Sequence, residues 1–387
     1  MISYGKQSID KSDIKAVVDT LKSHWLTQGP KCEVFEEDLK NYFGASYACA
    51  VSNGTAALHL AGLALNWKKG DIVLTTPMSF LATSNCIIYT GAKPDFVDID
   101  LVTHTIDPNL AEEKIKHYRK KGKNIKALIG VDFAGQPCDW KALRALANNY
   151  EFKLINDNCH ALGAKYFDDK QYALKYADIA TQSYHPVKHI TTGEGGSVLT
   201  NSLEIDEKVR RLRTHGMVKG ENQLSINNEP WYYEMHDVGF NYRITDFQSA
   251  LGSNQLKKLD FFLKRRREIA RVYDDAFENI PNLIIPKVND ECVHAYHLYP
   301  LQINFDKTNL SKSQLFKKLK KFDINLQVHY IPIHLQPYYK KNYGFRIGEY
   351  PFAEKFYQRE VSLPIYSGLS KKDQRKVIRS LKSLINV

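Results

Sequence analysis

No stretch of the chain approaches the ~18–20 consecutive apolar residues that a membrane-spanning helix needs. The first residues, Met1-Ile2-Ser3-Tyr4-Gly5-Lys6, have no apolar core of the kind a secretory signal carries, so a cytoplasmic location is expected. None of the six cysteines forms a Cys-x-x-Cys pair. Cys32, Cys49, Cys86, Cys138, Cys159 and Cys292 are scattered, which argues against a zinc site or a disulfide framework and for buried free thiols in a reducing compartment. There is no internal repeat, low-complexity tract or disordered linker. Acidic residues are the scarcer charge, 43 against 54 Lys and Arg, leaving a net charge of +11. The basic runs at 114–123 and 312–321 fall on expected helix faces and carry no interleaved aromatics, so solvated faces explain them better than nucleic acid does. A basic surplus is also compatible with phosphorylated small molecules.

What is present is enough for two domains. The 387 residues are expected to divide into a large domain over 1–250, including an N-terminal segment, and a small C-terminal α/β domain over 251–387 that begins with a long linking helix. Apolar spacing predicts helices over 11–21 and 31–43, a buried strand over 47–51, and a helix from Ala56 to about Leu65. Strands follow at 72–75, 94–97, 125–131, 152–155, 179–183 and 197–200. Helices lie between them within 77–89 and at 108–119 and 139–149. A helix at 207–213 is followed by a polar, irregular stretch at 215–229 and a long helical stretch from Thr245 to about Asn279. The remainder reads as strands at 296–303 and 324–328 with helices at 311–322 and 371–385. Strands alternating with helices imply a largely parallel, doubly wound sheet, whose ligands bind at the carboxyl ends of strands.

One stretch stands apart. Ser183-Tyr184-His185-Pro186-Val187-Lys188 follows a predicted strand, and Gly193-Glu194-Gly195-Gly196 leads into the next. A lysine held between two core strands differs from the usual lysine of a solvated helix. Other chemistry-bearing residues also fall just after strands. Ser52-Asn53-Gly54-Thr55 is a tight turn opening a helix, where free N–H groups make an anion site and Gly54 allows close approach. Phe80, Asp157 and His160 follow two further strands. Singly, Asp157 reads as a turn cap, Phe80 as core and His160 as a structural histidine. Together they supply what pyridoxal phosphate (PLP) requires. Lys188 forms the Schiff base. Asp157 keeps the ring nitrogen protonated, since a carboxylate beside a cation favours the charged form of both. Gly54, Thr55 and Ser183 bind the phosphate, Phe80 covers one ring face, and His160 touches the ring or its hydroxyl.

The segments 52–58, 157–163, 183–188, 193–196 and Gly239-Phe240-Asn241-Tyr242-Arg243 resemble the DegT/DnrJ/EryC1/StrS sugar aminotransferases, and the resemblance runs nearly end to end. It implies PLP-dependent transferase fold type I, like aspartate aminotransferase, with Lys188 and Asp157 catalytic. It also implies a homodimer in which Asn241 reaches the phosphate of the other subunit's site. Asn156 stands where the family usually has Glu, and Tyr184 where it often has Phe. Family dehydratases carry histidine in place of the imine lysine, so Lys188 favours transamination. The segments 25–30, 133–135, 185–188 and Pro230-Trp231-Tyr232-Tyr233-Glu234 are similar to the transaminases of pseudaminic acid biosynthesis. That implies L-glutamate as donor, pyridoxamine phosphate as the intermediate cofactor form, and amination at C-4 of UDP-2-acetamido-2,6-dideoxy-β-L-arabino-hexos-4-ulose. His329-Tyr330-Ile331-Pro332-Ile333-His334 resembles the family's segment near the sugar nucleotide, which makes His329 and Tyr330 expected substrate neighbours. Another nucleotide-linked 3- or 4-keto sugar, a dehydration, or a PLP-binding regulator without turnover remain the competing expectations.

Overall fold

The computed structural model describes residues 1–219, 224 and 229–385; most of the 215–229 stretch read as irregular therefore lies outside the described residues. In chain order the elements are α1 (Lys11–Leu21), α2 (Pro30–Phe43), β1 (Tyr47–Val51), α3 (Gly54–Ala64), β2 (Ile72–Thr75), α4 (Leu81–Tyr89) and β3 (Lys93–Phe96). Next come α5 (Pro108–Lys120), β4 (Ala127–Val131), α6 (Trp140–Tyr150), β5 (Lys153–Asp157), β6 (Lys165–Tyr166), α7 (Tyr172–Tyr176), β7 (Ile179–Ser183), β8 (Gly196–Thr200) and α8 (Leu203–Arg213). The rest of the chain holds β9 (Met217–Val218), β10 (Glu234–Met235), α9 (Asp246–Leu256), α10 (Leu259–Phe277), β11 (Leu283–Ile284), β12 (Cys292–Val293), β13 (Tyr299–Ile303), α11 (Lys312–Lys321), α12 (Pro337–Tyr343), α13 (Pro351–Arg359), β14 (Glu360–Leu363) and α14 (Lys371–Leu384).

The main sheet has strand order β1-β8-β7-β5-β4-β2-β3. Strands β7, β5, β4, β2 and β3 run parallel, and β8 is antiparallel to both of its neighbours. This is the mostly parallel mixed sheet expected of the fold. Both of its faces are covered, so its strands are apolar on both sides. Leu128, Leu154, Ala180 and Leu199 face one layer with Phe35, Trp140 and Leu143. The alternate residues Ile129, Ile155, Ile179 and Val198 face the other, with Leu58, Leu60 and Ile87. Helix α3 is apolar nearly all round because it is buried nearly all round, and its N-terminus is left pointing at the strand ends.

A separate apolar core joins Ile269, Tyr273 and Phe277 of α10 to Tyr299, Leu301, Val361, Leu363, Val377 and Leu381, and it includes Ile2. It lies over the three-stranded sheet β11-β13-β14. The first turn of α10, Leu259 to Leu263, belongs instead to the core of the large sheet.

Two element expectations are corrected. The stretch from Thr245 to Asn279 is two helices: α9 ends at Leu256 with Lys257 as its C-cap, Lys258 is the N-cap of α10, and the Lys258 ammonium pairs with Asp13 at 2.5 Å and Asp10 at 2.9 Å. Neither Gly nor Pro marks that break. The run 324–328 is extended but forms no ladder. Ile324 bridges to Ile2 and Gln327 to Ser362, so its backbone bonds are divided between two different partners.

Asp132, just beyond β4, ties the strand ends together. Fully buried, it accepts from Cys138 N at 2.8 Å, Trp140 Nε1 at 2.9 Å, Asn158 Nδ2 at 2.8 Å and Tyr172 Oη at 2.7 Å. Tyr172→Phe removes one donor from a buried carboxylate. It should cost about 1–3 kcal/mol, read as a lower urea midpoint at unchanged slope.

Candidate active site

Val131, Asp157 and Ser183 are the last residues of β4, β5 and β7, and all three line one cavity of about 950 Å³. The large-sheet side adds the α3 N-terminus, Phe80 and Lys188, and the segment 327–331 closes the opposite wall. Of the residues singled out from sequence, Gly54, Thr55, Phe80, Asp157, His160, Ser183, Lys188, His329 and Tyr330 all meet here. Asn241 does not. It is exposed on an extended segment bridged to Thr214 and does not line the cavity of its own chain, although its neighbour Tyr242 does.

Lys188 sits on a pinned turn. Tyr184 N donates to Gly195 O at 2.8 Å, Thr192 N to Tyr184 O at 3.0 Å, and Lys188 N to His185 O at 2.8 Å. Tyr184 Oη pairs with Ser197 Oγ at 2.7 Å, giving this buried hydroxyl a partner. Lys188 Nζ has no hydrogen-bond or ion-pair partner among the described residues. Enclosure lowers its pKa below the ordinary lysine value. The Asp157 carboxylate works against that shift, and the buried Arg266 guanidinium adds to it.

Asp157 Oδ2 accepts from Thr83 Oγ1 at 2.7 Å, and Oδ1 from Cys159 N at 3.3 Å. Thr83 has only one hydroxyl proton to give, so the 2.7 Å contact between Ser79 and Thr83 is a donation from Ser79. A buried relay, Ser79 to Thr83 to Asp157, thus orients the carboxylate.

The α3 terminus is built to meet an anion. Asn53 caps it, taking Ala56 N at 2.8 Å, while the N–H groups of Gly54 and Thr55 have no intrahelical acceptor. A Cβ on Gly54 would lie 2.8 Å from Ser183 Cβ, and one on Gly196 would lie 2.6 Å from the Asn53 backbone. Only glycine lets this turn pack against β7 and β8 with Ser183 beside it. An unpartnered lysine, a carboxylate at a strand end and a glycine-walled anion cradle in one cavity fit the donor set that PLP needs.

His160 Nδ1 accepts from Ala134 N at 3.3 Å, so its Nε2 carries the proton and donates to Tyr330 Oη at 3.2 Å. Burial pushes the His160 imidazole well down, with the Lys188 charge adding to it, and the ring is neutral. Tyr330 keeps its own hydroxyl proton for the cavity. Phe80, at the start of α4, is 56% exposed and tilts 6.1 Å from the Tyr330 ring.

Ser79, Thr83, Tyr4 and His297 escaped sequence reasoning. The Ser79–Thr83 pair had a weak signal, two hydroxyls one turn apart at a helix start. Tyr4 and His297 arrive from remote parts of the chain and had none.

The model of the DegT/DnrJ/EryC1/StrS aminotransferase family matches residues 7–382. The chain belongs to this family. It is an aminotransferase. It is 40% identical, over 100% of its length and 98% of the relative's, to a Campylobacter jejuni protein named UDP-4-amino-4,6-dideoxy-N-acetyl-β-L-altrosamine transaminase. Among solved structures it is similar to Helicobacter pylori PseC, an aminotransferase involved in the biosynthesis of pseudoaminic acid. The TM-score is 0.89 at 32% identity, covering 100% of this chain and 99% of that one. The Streptococcus pneumoniae sugar aminotransferase Spr1654 in its PMP form matches with TM-score 0.89 at 28% identity, covering 100% and 99%.

Because enclosure lowers the Lys188 pKa, a small amine-selective reagent should label Lys188 at lower pH than the surface lysines, in protein freed of bound small molecules. Asp157→Asn removes the charge that favours the ammonium and should lower that labelling midpoint further. Peptide mass analysis across pH reads both; a midpoint at the surface-lysine value contradicts the enclosure argument.

Proposed function

We propose that this aminotransferase binds PLP through Lys188 and moves an amino group from L-glutamate to C-4 of a UDP-linked 4-keto-6-deoxy-N-acetylhexosamine. The observation that carries the cofactor reading is the convergence of an unpartnered Lys188, Asp157 at the end of β5 and the Gly54–Ser183 cradle on one cavity. The PMP form of the Streptococcus pneumoniae relative supports it. The sugar reading rests on full-length similarity to the Campylobacter transaminase and to PseC.

Bound here, the cofactor supplies an electron sink and carries the amino group between the two substrates. Asp157 would bond the protonated ring nitrogen, with Thr83 and Ser79 holding the carboxylate in place. Gly54, Thr55 and Ser183 would hold the phosphate, Phe80 would lie against the ring, and His160 would donate near it. Once the substrate amine has displaced it from the coenzyme, Lys188 Nζ, whose enclosure favours the neutral amine, would take the proton from the donor's α-carbon and return one at the acceptor carbon. His329 and Tyr330 line the same cavity as Lys188, and a sugar would lie beside them. The site is shared in a homodimer, with the exposed Asn241 of each chain completing the phosphate site of the other.

Lys188→Ala should lose the visible absorbance band of the lysine-bound coenzyme and reduce turnover by several orders of magnitude, while keeping the far-UV spectrum of the parent. Near-parental transamination by this variant rules out the assignment. Supplying glutamate with 4-keto UDP-, GDP- and dTDP-sugars and identifying the product by NMR tests the acceptor. Amination of the UDP-linked N-acetyl sugar is expected, and preferential amination of another sugar redirects it.

A further inference from the structure

His329 has one ring nitrogen committed to the protein and one left to the cavity, and the committed side leads to a buried carboxylate. Its Nδ1 lies 2.8 Å from Ser362 Oγ. Ser362 Oγ lies 2.5 Å from Glu360 Oε1, and Glu360 Oε2 accepts from the His329 backbone N–H at 3.0 Å. Glu360 and Ser362 are both wholly buried on β14, and His329 is 5% exposed. No role has fallen to either β14 residue in the site described above.

With Glu360 ionised, the directions of these bonds are forced. A carboxylate only accepts, so the Ser362 hydroxyl proton points at Glu360. The Ser362 oxygen can then only accept from His329, which places the proton on Nδ1. Burial keeps this ring neutral, pushing its pKa down to about 3, with the Lys188 charge contributing. A neutral imidazole with its proton on Nδ1 has a bare lone pair on Nε2. Nε2 has no partner among the described residues, and His329 lines the cavity.

We propose that Glu360, acting through Ser362, is a positioning residue that locks His329 in the Nδ1–H tautomer, so that Nε2 accepts a hydrogen bond from a hydroxyl of the sugar substrate. The substrate half of this inference rests on the aminotransferase reading; the tautomer half does not. The titratable and charged groups facing the Glu360 carboxyl are Lys312 from α11 and His329 and Tyr330 from the segment 327–331. Burial pushes Glu360 up. The Ser362 bond, the Lys312 charge and the His329 N–H hold it down. The ionised arrangement is therefore that of mildly alkaline solution.

Glu360→Gln makes a sharp test because it preserves shape and reverses the wire. The His329 backbone N–H must still meet an acceptor, so the Gln carbonyl takes that position and the amide nitrogen faces Ser362. The amide then donates to Ser362, Ser362 donates to Nδ1, and the ring proton moves to Nε2. In [15N]histidine-labelled holoenzyme at mildly alkaline pH, with His329 assigned by its loss in His329→Gln, the parent should show a protonated Nδ1 and a bare Nε2. Glu360→Gln should show the two exchanged. Ser362→Ala should show neither tautomer fixed, and Glu360→Gln in that background should add nothing. A parent with protonated Nε2, or a Glu360→Gln spectrum unchanged from the parent, overturns the lock whatever the activity. Turning Nε2 into a donor should lower kcat/KM for the keto sugar about tenfold, the effect of one net hydrogen bond. Exchanged nitrogens with an unchanged kcat/KM overturn the substrate contact. Absence of the coenzyme absorbance band in the parent would count against the aminotransferase reading and leave the nitrogen shifts as a separate measurement.

Discussion

Charge withdrawn from water is the constraint around which the strand ends are built. Asp132 and Asp157 are 0% and 4% exposed, and neither has a Lys or Arg within ion-pairing distance among the described residues. Each is instead satisfied by N–H and O–H donors, which is what makes a buried carboxylate tolerable. For Asp132 this binds β4 to the segment after β5 and to α7. For Asp157 the consequence is chemical. A carboxylate held by neutral donors keeps its charge available, so a cation entering the cavity meets an acceptor that no resident arginine has already neutralised.

The same economy governs the imidazoles. His160, His189, His297 and His329 all lie near enough to Lys188 to feel its charge, and burial depresses all four. Neutral rings contribute directed dipoles without placing a second positive charge beside a lysine that must lose its own. Their protons are assigned by their surroundings: Ala134 N–H directs His160, and His189 Nε2 donates to Ala295 O at 3.1 Å. No group of His, Cys, Asp or Glu among the described residues is arranged to hold a metal ion.

Much of the large sheet was legible because buried parallel strands are short apolar runs between turn residues, and 47–51, 72–75 and 179–183 stand as read. The lysine turn and the Asn-Gly-Thr helix start were legible because their chemistry is local. The α9–α10 break was hidden because no glycine or proline marks it; an ion pair from Lys258 to remote aspartates lies there instead. The run 324–328 was misread because alternation reports burial of one face and says nothing of who takes the backbone bonds. Tyr184 had stood out as a departure from the family's usual Phe; its hydroxyl fits because Ser197 lies across the strand pair to receive it. The polar wiring behind the site, from Ser79 to Asp157 and from Glu360 to His329, joins residues whose proximity exists only after folding.

The first residues of the chain join the C-terminal core and then reach α9. Ile2 packs in the C-terminal core and pairs with Ile324, Tyr4 O accepts from Ile365 N, and α1 packs on α9 through Asp13 bonded to Asn254 and Gln255. During synthesis at ~5–20 residues per second, the partner of Ile2 emerges roughly 15–60 s after Ile2 itself. The segment holding Ile2 and Tyr4 therefore stays without these partners while the large-sheet strands are being synthesised. Since Tyr4 is also part of the cavity wall, the pocket acquires its final shape only when segments far apart in the sequence meet.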